Sequence, residues 1–213
     1  MAILSELQGM LEGLNAVTTE LDVHEYLIDS DTHASIPGAH LDLPEQLFVL
    51  EVDDSVELAL YIEPGVLAHL EGDEPGRLLH NGNLESFCIA LEGVSHFIKV
   101  VWSARLGRGI SPLELEIQAE VDKFLVGADL LQQQGMLRRD AGRALTRLLF
   151  EHYEIRDDVP RDEIERYHTA SKVARNFCET LLERYSGDTS SHRIVRDARN
   201  FYRCGLTEML RSL

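Results

Sequence analysis

The sequence predicts an α+β protein: a small antiparallel-hairpin α+β unit, then a mainly helical bundle of about five helices. Three observations carry this. Apolar residues alternate with period two over Phe48–Ile62 and recur at helical spacing almost everywhere after residue 84. Charge is also segregated. Residues 1–80 hold 17 Asp/Glu and one basic side chain, Arg77, whereas residues 136–213 hold 15 Lys/Arg against 13 Asp/Glu. The expected organisation is therefore an acidic unit over 1–80 and a helical bundle over 81–213, packed together as one compact chain.

In chain order, Ile3–Val17 has Ile3, Leu7, Met10, Leu11 and Leu14 on one helical face. Thr18-Thr19 ends it, Leu21–Ile28 reads as a strand, and Asp29–Pro44 reads as a long loop. In the hairpin, Asp53-Asp54-Ser55 makes the turn between two alternating runs, and Leu50, Val52, Leu58 and Leu60 are expected against a helix. Pro64 opens a short helix that ends near Gly72. Leu84–Leu106 is apolar on most sides, and Pro112–Gln134 carries a stripe through Ile117, Val121, Phe124 and Ala128. Leu137–Tyr153, Arg161–Tyr185 and His192–Leu210 complete the expected bundle.

Composition narrows the function. A net charge of −17 and a pI near 4.8 exclude nucleic acid as the main ligand, because phosphate binding needs clustered Lys and Arg. Cys88, Cys178 and Cys204 are scattered without a CxxC pair, which suits buried thiols in a reducing compartment. The N-terminal segment has no basic stretch before its apolar residues, and the apolar run Phe87–Trp102 is interrupted by Glu92, His96 and Lys99. A cytoplasmic protein with no membrane span is expected.

Two groups of residues stand out. Glu85, Glu92, His96 and Lys99 form a polar line in an otherwise apolar helix, and the next helix offers Glu116 and Glu120 at i, i+4. Charges buried there need partners. Arg175 and Arg199 would close a salt-bridge network with them; a small-ligand pocket or a metal held by Glu92, His96, Glu116 and Glu120 are the other readings. His24, His33 and His40 beside Asp22, Asp29, Asp31 and Asp42 lack regular ligand spacing and read as a solvated loop.

The second group is a repeat. Residues 168–177 and 192–201 both read H-x-x-x-[KR]-x-A-R-N-F. His168, Lys172 and Arg175 share one helical face, as do His192, Arg196, Arg199 and Arg203. The strips are candidates for an anion or partner surface; the alternative is that Arg175 and Arg199 pair with bundle carboxylates such as Glu92, Glu116 and Glu120. Arg175-Asn176 and Arg199-Asn200 resemble the Arg-Asn half of the HEPN ribonuclease signature. There a histidine follows by a few residues and carries the cleavage chemistry. Thr180 and Cys204 occupy the corresponding places here, so the resemblance implies no cleavage.

No phosphate loop, HExxH or nucleophile elbow is present, no cofactor is expected, and no catalytic set emerges. The leading reading is a non-enzymatic interaction or adaptor protein, binding a protein partner or a second copy of itself as a homodimer. The alternative is a helical-bundle enzyme or a ligand- or metal-binding protein that uses the Glu/His/Arg cluster.

Overall fold

The computed structural model describes residues 2–53, 55–136, 141–150, 161–185 and 192–212. The architecture is α+β with a helical bundle, and it divides into two compact units. One comprises Met1–Glu12 and Val17–Gly109, the other Gly13–Ala16 and Ile110–Leu213.

The first unit holds most of α1 (Ala2–Asn15), β1 (Leu27–Ile28), α2 (Ser30–Ser35), β2 (Glu45–Val52), β3 (Ser55–Ile62), α3 (Pro64–Gly72) and α4 (Leu84–Arg105). Its sheet runs β1-β3-β2, with β1 parallel and β2 antiparallel to β3. The hairpin register runs from Glu45 opposite Ile62 to Val52 opposite Ser55, and Asp53 takes the positive φ (50°) that so tight a connection demands. Polar anchors fix the chain before the sheet. Gln8 donates through Nε2 to Thr19 Oγ1 (2.9 Å) and accepts from the Val23 amide (3.0 Å).

Several local expectations change. Half of the stretch read as a strand over 21–28 becomes a 3₁₀ turn, Val23–Tyr26, because the Asp22 carboxylate accepts from the His24 amide and caps it. The long loop after it contains α2, capped by Asp29 accepting from the Thr32 amide at 2.8 Å. His33 on that helix is buried, not solvated; its ring stacks on Tyr61 at 3.9 Å and bonds Gln46 Oε1 at 3.0 Å. Only half the hairpin is covered. Leu60 is buried and Leu58 half-buried, but Leu50 and Val52 are 59% and 38% exposed.

The unit boundary falls after Gly109 rather than after residue 80. Helix α4 packs on β2, β3 and α3, and its apolar residues on most sides suit that enclosed position. By length and composition α4 would also span a membrane, but 72% of its most apolar window is buried inside the protein.

The second unit contains α5 (Pro112–Gln133), α6 (Ala141–Phe150), α7 (Arg161–Arg184), α8 (His192–Arg203) and α9 (Leu206–Met209). Ser111 and Glu114 form a reciprocal capping box that starts α5, with Pro112 at its first position. The core joins Ile117, Val121, Phe124, Leu145, Val173, Leu181 and Phe201. Phe177 and Phe201, the matching phenylalanines of the repeat, stack at 4.0 Å. Tyr185 and Arg184 at the end of α7 both donate to Asp197 of α8 at 2.8 Å. Contacts of 177 with 201 and of 184 with 197 make the two helices antiparallel. The expected single helix over 192–210 breaks at Cys204-Gly205, where Gly205 caps α9. The expected ends of the 137–153 helix lie outside the described residues. All three cysteines are free; Cys178 is buried, whereas Cys88 and Cys204 are half-buried. Burial, reinforced by nearby carboxylates, pushes the Cys178 thiol well above its ordinary value, which keeps it an unreactive core residue.

Candidate functional site

Glu92 and His96 belong to the first unit; Glu116, Glu120, Arg175 and Arg199 belong to the second. Within the first unit, His96 is buried and Glu92 half-buried on the same face of α4. The residue that joins them is Glu45, at the start of β2. One ligand atom from each of Glu45, Glu92 and His96 lies within 4.8 Å of the other two. Nδ1 of His96 stands 3.7 Å from Oε1 of Glu45, with the side chains 9% and 11% exposed. Gly93 makes this possible. A Cβ there would sit 2.9 Å from Glu45 Cγ and 3.1 Å from its Oε1, too close to leave the carboxylate in place.

Within the second unit, each of the other candidates has its own partner. Arg166 approaches Glu116 at 3.7 Å, and Lys123 donates to Glu120 at 2.7 Å. Asp122, buried on α5, accepts from Asn15 (3.2 Å) and Gln118 (2.9 Å). Arg175 donates to Glu179 at 2.8 Å, one turn on. Arg199 donates instead to main-chain carbonyls, through Nε to Leu14 O and through Nη2 to Gly13 O, both at 2.9 Å. Arg203 adds Asn15 O and Ala16 O at 3.2 Å. Three of those oxygens belong to the last turn of α1 and the fourth to Ala16 just after it, where carbonyls lack an intrahelical donor and the helix dipole favours a cation. Ala16 ends the turn in the left-handed region (φ 50°). Two arginines of the second strip thus cap a helix.

His168, Lys172, His192 and Arg196 are exposed. Arg196 lies 3.4 Å from Asp197. An open recess of about 400 Å³ in the first unit is lined by Asp42, Glu63, Glu85 and Ser86, among others. Its three carboxylates give it no further distinguishing chemistry.

The outer half of the hairpin forms another feature. Directly opposed residues in an antiparallel pair point to the same side. Val49, Leu58 and Val56 therefore share one face, and Leu50 and Val52 the other. Val49, Leu50, Val52 and Val56 are between 37% and 59% exposed. Strand β2 is an edge, and among the described residues it pairs only with β3.

Sequence reasoning missed Glu45, which it left three residues before the hairpin. The available signal was Gly93 inside an apolar helix beside Glu92: a side chain missing where another must approach. No known protein family, curated protein or solved structure matches this chain.

Proposed function

We propose that this chain is a non-enzymatic cytoplasmic interaction protein that associates with a second copy of itself through the outer edge of β2. The observation that carries the reading is the exposed apolar group Val49, Leu50, Val52 and Val56 beside a strand edge that no described residue pairs. Such an edge presents a row of backbone donors and acceptors, and most proteins blunt it with Lys, Pro or a covering segment. Strand β2 reads Glu-Gln-Leu-Phe-Val-Leu-Glu-Val, with neither Lys nor Pro. The same edge on a second copy supplies the missing ladder, and antiparallel pairing about a two-fold axis buries the apolar side chains of both. The acidic and Arg-rich regions then act on partner choice and association rate.

The test is sedimentation of the full chain across concentration and ionic strength. Association through the edge persists at about 1 M salt, where the Debye length is about 3 Å and charge attraction is screened. Leu50→Lys weakens it by about 10-fold or more, since it places a charge in the new apolar contact. Arg196→Glu leaves it unchanged. A chain that stays monomeric throughout overturns the reading. So does an association that salt and Arg196→Glu abolish while Leu50→Lys does not; that pattern assigns the contact to the cationic strips.

A further inference from the structure

The interaction reading uses only the outer half of the hairpin, whereas Glu45, Glu92 and His96 converge at its inner end. The approach of His96 to Glu45 does not match an optimised hydrogen bond. The 3.7 Å between His96 Nδ1 and Glu45 Oε1 is longer than the roughly 2.7–3.2 Å of an N–H···O bond. Two ligands on one tetrahedral ion, with bonds of about 2.0–2.1 Å, stand roughly 3.3 Å apart. A separation of 3.7 Å, with all three ligand atoms inside 4.8 Å, closes on an ion through small side-chain movements.

Electrostatics point the same way. Two glutamates this close, one of them with a side chain only 11% exposed, repel each other unless positive charge lies between them. The niche is also built into the backbone, because only a glycine at position 93 lets the Glu45 carboxylate lie against α4. The rival source of positive charge is an imidazolium on His96 together with Lys99. Lys99 is fully buried on the next turn of the same helix face, and its Nζ lies 5.1 Å from the centre of the Trp102 ring.

We propose that Glu45, Glu92 and His96 form a three-ligand site for a divalent transition-metal ion, zinc or manganese. The imidazole selects against calcium and magnesium, which take oxygen ligands, and the two carboxylates bring the charge that a divalent ion needs. Three protein ligands leave at least one coordination position for water or a small anionic ligand. The site belongs to the metal-binding alternative read from the sequence, but with Glu45 as the third ligand and without residues of the second unit.

The experiment uses the full chain, stripped with chelator and titrated calorimetrically with zinc and with manganese. The expected result is one ion per chain, a rise in Tm on loading, and affinity lowered about 100-fold or more in His96→Gln and in the isosteric Glu92→Gln. Should either variant fold poorly, cobalt(II) absorption of the native chain reports the site directly: a mixed nitrogen and oxygen tetrahedral spectrum supports it. Absence of uptake, or uptake that both substitutions leave unchanged, overturns the proposal and assigns the positive charge to His96 and Lys99. Metal uptake is independent of the Leu50→Lys result, so the two readings fail separately.

Discussion

Helices α7 and α8 carry the same ten-residue pattern, yet their arginines serve different ends. In both, the alanine of the pattern is buried and the phenylalanine packs against its counterpart. Arg175 then pairs with Glu179 on its own helix, whereas Arg199 reaches carbonyls at the end of α1, 185 residues earlier. The difference lies four residues on. Arg175 finds Glu179 there, an attractive i, i+4 neighbour; Arg199 finds Arg203, a repulsive one. Two cations side by side turn outward to whatever acceptors lie near, and the acceptors are the uncapped oxygens of α1. Spacing chose the face of the side chain. The neighbour on that face chose its partner.

Substitutions can break this contrast. Arg199→Ala is expected to cost most, about 2–3 kcal/mol in urea unfolding, because two charge-assisted hydrogen bonds to a helix end are lost together. Asp197→Asn comes next, at about 1 kcal/mol near neutral pH. Burial alone would raise the Asp197 carboxyl, but hydrogen bonds from Tyr185, Arg184 and Arg196 outweigh it and hold it below the usual carboxylate range. Its contribution is therefore complete above about pH 3.9, the unfolded value, and is lost as pH falls through the lower folded value. The stability gap between wild type and Asp197→Asn should close in that acid window and stay constant above it. Arg175→Ala should cost least, about 0.3–0.5 kcal/mol, as befits a half-exposed pair within one helix. Equal losses from Arg175→Ala and Arg199→Ala would show that the two strips do the same job after all.

Much of the fold was legible because pattern and element coincide. Val56, Leu58, Leu60 and Ile62 alternate within β3, and Pro64, Pro112 and Gly135 mark helix boundaries as their backbones require. Alternation says which residues of one strand share a face, but not how two strands are registered; the pairing puts Leu50 on the face opposite Leu60, and they end 59% and 0% exposed. An all-round apolar helix likewise announces burial without naming its neighbour, so α4 was assigned to the bundle when it packs on the sheet. At six residues, α2 is too short to show a period, and only its Asp29 cap betrayed it. At the candidate site Glu92 and His96 were visible as polar residues in an apolar helix. Glu45 was not, because the contact spans 51 residues and depends on a side chain that Gly93 lacks.

The clasp on α1 also has a consequence in time. A ribosome adding about 5–20 residues each second needs roughly 10–40 s to travel from Leu14 to Arg199. Through that interval the first helix has emerged while the guanidinium groups that fasten its end are not yet made. Its last turn can settle only once Arg199 and Arg203 have been made, so a pulse-labelled nascent chain should gain protease resistance at residues 13–16 late and abruptly. Helix α1 would thus be translated well before its own last turn could be finished.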